Sequence, residues 1–229
     1  MTSQRLVAQA FRWIETDLKQ KERPSVPMDA GSMRQFQYLA RAFHRISEVP
    51  GDIVECGVGK GRTFLMFAYL ISQERARRNR TLWGFDSFRG FPEPSAQDAS
   101  PRNSREGEGA DTSVKRIRNL LKECGIDPGF LLSRVRLIPG FFQRSLHKFP
   151  DRPIALLHID ADLYQSYRDA LSILFPKVAQ GGWVLFDEYR RPDWPGATKA
   201  IEEWIASTAY KIRYDDLANR YFVIKRRSR

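Results

Sequence analysis

The residues best placed to do chemistry are acidic. His158-Ile159-Asp160-Ala161-Asp162 closes one apolar run, and Asp187-Glu188 closes the next. If those runs are neighbouring parallel strands, their carboxylates meet on one edge of the sheet. Like charges crowded together are costly unless a cation sits among them. An all-oxygen ligand set suits a hard cation, Mg²⁺ above all. The plainer reading is a set of solvated acids at loop starts. Two acidic clusters at successive strand ends, both on the edge where open α/β folds bind ligands, favour the metal.

A second constellation lies upstream. The run Val54-Glu55-Cys56-Gly57-Val58-Gly59-Lys60-Gly61 joins an apolar stretch to a helical one. Gly57, Gly59 and Gly61 let the backbone turn tightly and approach a ligand. A dinucleotide fingerprint would carry its third glycine one place later, where Arg62 stands. Glu55, at the strand end, can face the cationic amino-acid end of a bound cofactor. Asp86 falls near where nucleotide folds keep a ribose-binding acid, and two adjacent hydroxyls can donate to one carboxylate. A loop acid with no ligand is the alternative there.

The elements that must position these residues follow from periodicity. Residues 3–20 and the stretch around Phe36, Leu39, Phe43 and Ile46 have helical spacing, with a Pro-containing linker between them and Pro50-Gly51 after. From residue 53 strands and helices alternate. Strands are predicted over Ile53–Cys56, Leu82–Phe85, Val135–Ile138, Ile154–Ile159 and Trp183–Phe186. Helices are predicted over Arg62–Gln73, Ser113–Cys124, Phe142–Phe149, Gln165–Val178 and Pro195 to about Ser207. Such alternation implies a parallel sheet covered on both faces. Tyr210–Tyr214 and Tyr221–Lys225 break the rhythm as a closing hairpin. An antiparallel hairpin added to a parallel sheet marks class I methyltransferases. The expected fold is therefore α/β and Rossmann-like: a seven-stranded, mostly parallel sheet over 51–229, with an N-terminal helical appendage over 1–50. Residues 89–112, rich in Pro, Ser, Gly and charge, read as either a lid or disorder above the ligand edge.

Composition narrows the classes. Hydrophobic residues make up 42% of the 229, enough for a full core. No run approaches the roughly 18 apolar residues of a membrane span. The first helix is too charged for a signal peptide. Two cysteines, Cys56 and Cys124, give no disulfide framework, so a reducing cytoplasm is the simplest setting. The net charge of +11 raises nucleic acid as a partner. The basic residues are scattered, however, in groups such as Arg75, Arg77, Arg78 and Arg80 and the terminal Lys225, Arg226, Arg227 and Arg229, and a solvated surface is favoured.

The stretches "VECGVGKGRTF", "GFDSFRGFPEP", "LLHIDADLYQSYRDAL" and "GGWVLFDEY", then "PGATKAIEEW", resemble the macrocin O-methyltransferase family over about residues 35–225. The resemblance implies an S-adenosylmethionine- and Mg²⁺-dependent enzyme that methylates a hydroxyl on a sugar or glycosylated natural product. It implies metal ligation by Asp160, Asp187 and Glu188, with Asp162 as general base beside Asp160. It also implies cofactor contacts from Glu55, Gly57, Gly59, Gly61, Asp86, Ser87, Gly140 and Phe141. The family usually has Asp-Asp where this chain has Asp187-Glu188, which leaves the third ligand open. The expected partner is a small hydroxylated acceptor. Nucleic-acid methylation and a non-catalytic binding protein are the alternatives. Pairing of the N-terminal helix with a second subunit is left open.

Overall fold

The computed structural model describes residues 29–74 and 79–226. The helix expected over 3–20, the arginines at 75, 77 and 78, and the final three residues lie outside them. Asp29 opens the first described helix, α1 (Ala30–Arg45), by accepting from the Ser32 N–H at 2.7 Å. In chain order there follow β1 (Asp52–Cys56), α2 (Arg62–Ser72), β2 (Leu82–Asp86), α3 (Val114–Glu123) and α4 (Pro128–Arg134). Next come β3 (Val135–Pro139), α5 (Phe142–Ser145), β4 (Ile154–Ile159), α6 (Tyr164–Leu174), β5 (Val178–Phe186) and α7 (Pro195–Ala206). The strands β6 (Arg213–Asp215) and β7 (Arg220–Ile224) close the chain.

The seven strands form one sheet in the order β3-β2-β1-β4-β5-β7-β6. The first five are parallel; β7 runs antiparallel to β5 and to β6. The order reverses at β1, so the ends of β1 and β4 flank the crevice where such sheets bind ligands. Alternation along the strands sorts the core into two layers. Ile53, Leu156 and Leu185 pack with Tyr38, Leu39 and Ile46 at α1 and with Phe64 and Phe67 of α2. Val54, Leu157 and Val184 face the other way, toward Tyr167 and Leu171 of α6 and Ile201 of α7. Each large side chain so buried contributes roughly 1.5–3 kcal/mol.

The structure moves several predicted boundaries. Helix α6 ends at Leu174, because Pro176 cannot continue it, and the chain enters β5 already at Val178. Gly181-Gly182 is therefore not a turn into the strand but a bulge inside it. The register passes from Ile154–Val178 to Leu156–Trp183, Gly181 takes φ +80°, and Lys225 closes hydrogen bonds on both sides. The helix α4 was not expected, although Asp127 and Pro128 are an N-cap and first-turn pair. The edge strand β6 is shorter and later than Tyr210–Tyr214.

The 89–112 segment is folded. It carries a 3-10 turn, Ala96–Asp98, and is pinned where the Phe91 N–H donates to the Glu108 carbonyl and the Gly107 N–H to the Phe91 carbonyl. Asp98 reaches across to accept from the Tyr164 N–H at 2.7 Å, serving the first turn of α6. It also sits where any side chain on Gly196 would have to go.

Candidate functional site

The parallel sheet places the ends of β1, β2, β4 and β5 side by side, and a cavity of about 930 Å³ opens over them. Gly57, Gly59, Gly61, Asp86, Ser87 and Phe141 line it from the β1, β2 and β3 ends, and Asp160, Asp162, Gln165 and Ser166 from the β4 end. The 89–112 segment supplies a wall through Phe91, Arg102 and Glu108. Arg102 is ion-paired with Glu108, and its guanidinium lies 4.1 Å from the Trp194 ring centroid.

Two glycines of the β1 turn have separate reasons. Gly57 has φ +90°, and a Cβ there would stand 1.6 Å from the Asp160 carbonyl oxygen, so the β1 and β4 turns touch backbone to backbone. Gly59 has φ +52°, and nothing lies within 4 Å of where a Cβ would stand, so it presents bare backbone to the cavity. Asp86 holds this turn: one carboxylate oxygen accepts from Val58 and Gly59 N–H, both at 2.9 Å, and the other from Phe88 N–H at 2.7 Å. A carboxylate has about four acceptor positions, so Asp86 retains capacity for a ligand hydroxyl while fixing the loop.

Two expected cofactor contacts are not brought to the cavity wall. Glu55 points into the helix-covered layer, because it alternates with Val54 and Cys56 and lies in register with His158. It is fully buried, accepts from or shares a proton with His158 Nδ1 at 3.1 Å, and its Oε2 has no partner. Burial lifts its pKa to about 7 against the pull of His158. Burial lowers His158, but the Glu55 hydrogen bond and charge more than reverse this. Gly140 is the other: it turns the chain after β3 at φ +131°, and its N–H donates to the Asp86 carbonyl. Phe141, beside it, does line the cavity and is 40% exposed, an aromatic face free to stack on a planar ring.

The acidic cluster converges as expected. Donor atoms of Asp160, Asp162 and Glu188 lie within 4.8 Å of one another, and so do those of His158, Asp160 and Asp187. Burial and then the Asp187 charge raise Asp160 to about 6; burial and then the Asp160 charge raise Asp162 to about 8. Glu188 is pushed well above its usual range, by burial first and then by Asp160 and Asp187. Carboxyls so strained by one another are those a divalent cation would relieve. Asp187 and Glu188 do not line the cavity themselves and join it through Asp160. Asp187 accepts from Arg220 Nε at 3.1 Å. Glu188 is buried against Tyr167 and the 160–162 turn.

The cavity wall carries seven acids (Asp86, Glu93, Glu108, Asp111, Asp160, Asp162 and Asp169) against Lys60, Arg62 and Arg102. Its charge is thus opposite to the chain's net +11. Sequence reasoning missed Asp98, Tyr167, Arg102 and Arg220. A signal existed for Asp98, the Ser95-x-x-Asp98 capping pattern, and for Arg220, which the hairpin register sets beside Asp187.

Comparison with known proteins now decides the family. The model of the family described as macrocin-O-methyltransferase (TylF) matches residues 4–215. The chain belongs to the macrocin O-methyltransferase family. It is 32% identical over 164 residues to the demethyldecarbamoylnovobiocin O-methyltransferase of Streptomyces niveus, covering 70% of this chain and 60% of that protein. It is also 32% identical over 162 residues to the mycinamicin III 3''-O-methyltransferase of Micromonospora griseorubida, covering 68% and 61%. The chain thus spans about three fifths of the length of these curated relatives. Among solved structures, the O-methyltransferase NovP superposes with TM-score 0.69 at 27% identity, covering 85% of this chain and 80% of that one. The calicheamicin methyltransferase CalS11 superposes with TM-score 0.76 at 24% identity over 86% and 80%, which speaks to the fold alone. The seven-stranded sheet with its antiparallel C-terminal pair is that of class I O-methyltransferases. Among the described residues no helix is long and apolar enough to cross a membrane.

Proposed function

We propose that this chain is an S-adenosylmethionine-dependent, Mg²⁺-assisted O-methyltransferase acting on a hydroxyl of a sugar or glycosylated small molecule. The observation that carries the reading is one cavity lined both by the glycine turn with Asp86 and by Asp160 with Asp162. Family membership and the natural-product relatives support it. The acidic wall disfavours a nucleic-acid acceptor, because phosphates bind basic surfaces.

S-adenosylmethionine supplies an activated methyl group, so the chain's task is to hold the acceptor in line and take its proton. The Gly57–Gly61 turn and Asp86 would hold the cofactor, with Ser87 and Phe141 beside them. Asp160 and Asp187 would hold the cation, which supplies Lewis acidity toward an acceptor hydroxyl. Asp162, on the cavity wall, takes the hydroxyl proton on its carboxylate. Phe91 and Arg102 add to the wall of the cavity. A reducing cytoplasm remains the proposed setting.

The test is methyl transfer from radiolabelled S-adenosylmethionine to a panel of glycosides, before and after exhaustive chelation. Asp187→Asn should abolish transfer and Mn²⁺ uptake while leaving calorimetric S-adenosylmethionine binding within about threefold, since the residue lies outside the cofactor end. Full activity in chelated protein would remove the metal from the reading, and absence of cofactor binding would remove the reading itself.

A further inference from the structure

The 89–112 wall carries a paired cation and anion, Arg102 and Glu108, and both line the cavity. Arg102 Nη1 donates to Glu108 Oε2 at 3.1 Å and to Ser104 Oγ at 2.7 Å, and its Nη2 donates to Glu108 Oε1. The Arg105 N–H donates to Glu108 Oε2 at 3.3 Å. The guanidinium lies 4.1 Å from the Trp194 ring centroid and 5.8 Å from that of Phe91, and these two rings meet edge to face. Ser100 Oγ donates to the Asp193 carbonyl at 3.1 Å and so fastens the same stretch to the loop before α7. The pair is thus held before any ligand arrives, and little side-chain freedom is lost when one binds. It is not sealed off: the Arg102 side chain is 28% exposed and that of Glu108 39%. A guanidinium has five N–H donors, and Arg102 Nε makes no hydrogen bond among the described residues. The pair also stands near Asp162, since the charges of both residues act on that carboxyl.

The pair carries no net charge, and the wall around it is acidic. Lys60, another base of that wall, is likewise paired, with Asp111 at 2.8 Å. Glu93, Asp160, Asp162 and Asp169 are in no salt bridge among the described residues. A phosphate or carboxylate brought beside Arg102 would have to displace Glu108 or lie against it, and a like charge so placed rejects a ligand. A sugar hydroxyl both donates and accepts, so it can meet either half of the pair. We infer that the Arg102–Glu108 pair determines acceptor specificity: it offers a donor and an acceptor side by side to the hydroxyls of an uncharged sugar, and Glu108 keeps Arg102 from serving an anionic acceptor such as a sugar phosphate. This inference rests on the proposed methyl transfer to a sugar hydroxyl.

The experiment compares the full chain with Glu108→Gln, Arg102→Gln and the double variant. Inorganic pyrophosphate is titrated calorimetrically into each, with S-adenosylhomocysteine present and metal chelated, and methyl transfer to the glycoside panel is measured separately. E108Q unpairs Arg102, so it should bind pyrophosphate about tenfold more tightly than the unaltered chain, and the double variant should lose that gain. With a glycoside that is methylated, E108Q and R102Q should each raise the acceptor KM about tenfold, the effect of one hydrogen bond lost. Both should keep kcat and S-adenosylhomocysteine affinity within about threefold. A pair that only stiffened the wall would give no gain for pyrophosphate. The inference is overturned if E108Q gains no pyrophosphate affinity, or if KM is unchanged in both single variants. It is also overturned if the unaltered chain already binds pyrophosphate and R102Q abolishes this, the pattern of an anion site. If the unaltered chain methylates no glycoside, the proposed reaction fails and the pyrophosphate arm decides alone: a tenfold gain in E108Q supports the exclusion of anions, and no gain overturns it. Should E108Q not fold, Glu108→Ala makes the same comparison.

Discussion

Gly57 and Gly59 both have positive φ and stand two residues apart, yet they are expected to respond differently to the same substitution. An alanine at either site suffers the left-handed backbone penalty of about 1–2 kcal/mol. At Gly59 nothing lies within 4 Å of the new Cβ, so that penalty is the whole effect on stability. At Gly57 the Cβ would lie 1.6 Å from the Asp160 carbonyl oxygen and 2.7 Å from its carbon. Backbone cannot swing aside as a side chain does, so the β1 and β4 turns must part. Overpacking of this kind adds about 1–3 kcal/mol, for a total of about 2–5 kcal/mol. At about 2–4 °C per kcal/mol for a domain of this size, Gly57→Ala should melt roughly 4–20 °C lower and Gly59→Ala roughly 2–8 °C lower.

The ligand readouts should separate the two sites further. Gly59→Ala puts a methyl into the cofactor end of the cavity and should weaken S-adenosylhomocysteine binding while sparing Mn²⁺ uptake. Gly57→Ala displaces Asp160 and should weaken both. Thermal denaturation, calorimetry and Mn²⁺ titration on the two variants read out all four quantities. Equal losses of melting temperature, with Mn²⁺ affinity intact in Gly57→Ala, would refute the claim that contact between the two turns positions Asp160.

Two further expectations concern pH and the folded wall. Without metal, burial holds Asp160 at about 6, Glu55 at about 7 and Asp162 at about 8. Each value is raised, so each group favours the fold when protonated. Their stabilisation is complete below about pH 4 and lost as pH climbs through the folded values. Chelated protein should therefore melt progressively lower from about pH 4 to pH 8, and added Mg²⁺ should restore most at the upper end; a flat profile would contradict the burial of these acids. Asp98→Ala removes the acceptor for the Tyr164 and Ser95 N–H groups. It should cost about 1–3 kcal/mol and open the 89–112 segment to limited proteolysis, whereas a protease-resistant variant would show that the segment is held by other means.

The architecture was legible because two periods, about two for strands and about 3.6 for helices, alternate cleanly from residue 53 onward. In a parallel sheet every strand presents its carboxyl end to the same edge, so a residue's place at a strand end is enough to bring Asp160, Asp187, Glu188 and Asp86 together without any knowledge of side chains. Side-chain direction was not legible in the same way. Glu55 was expected to face a ligand because it nearly ends β1, but alternation with the core residues Val54 and Cys56 sends it into the other layer, toward His158. The bulge at Gly181-Gly182 escaped for a related reason. A double glycine signals a departure from regular backbone, and only the pairing with β4 and Lys225 reveals that the departure lies inside a strand.

The edge also explains how one small region can hold so many acids and still give each a separate role. A cluster of equivalent carboxylates would share protons and bind a cation without preference. Here every acid has been made different by its neighbours. Arg220 offsets Asp187; the 161–162 amides and Tyr167 occupy Glu188; His158 pairs with Glu55. Asp162 is left as the acid on the cavity wall whose pKa is pushed to about 8, by burial and the nearby Asp160 charge. Environments that drive neighbouring titratable groups apart are what assign acid, base and ligand roles among chemically identical side chains. By that criterion Asp160 and Asp187 suit a cation, and Asp162 suits a proton in transit.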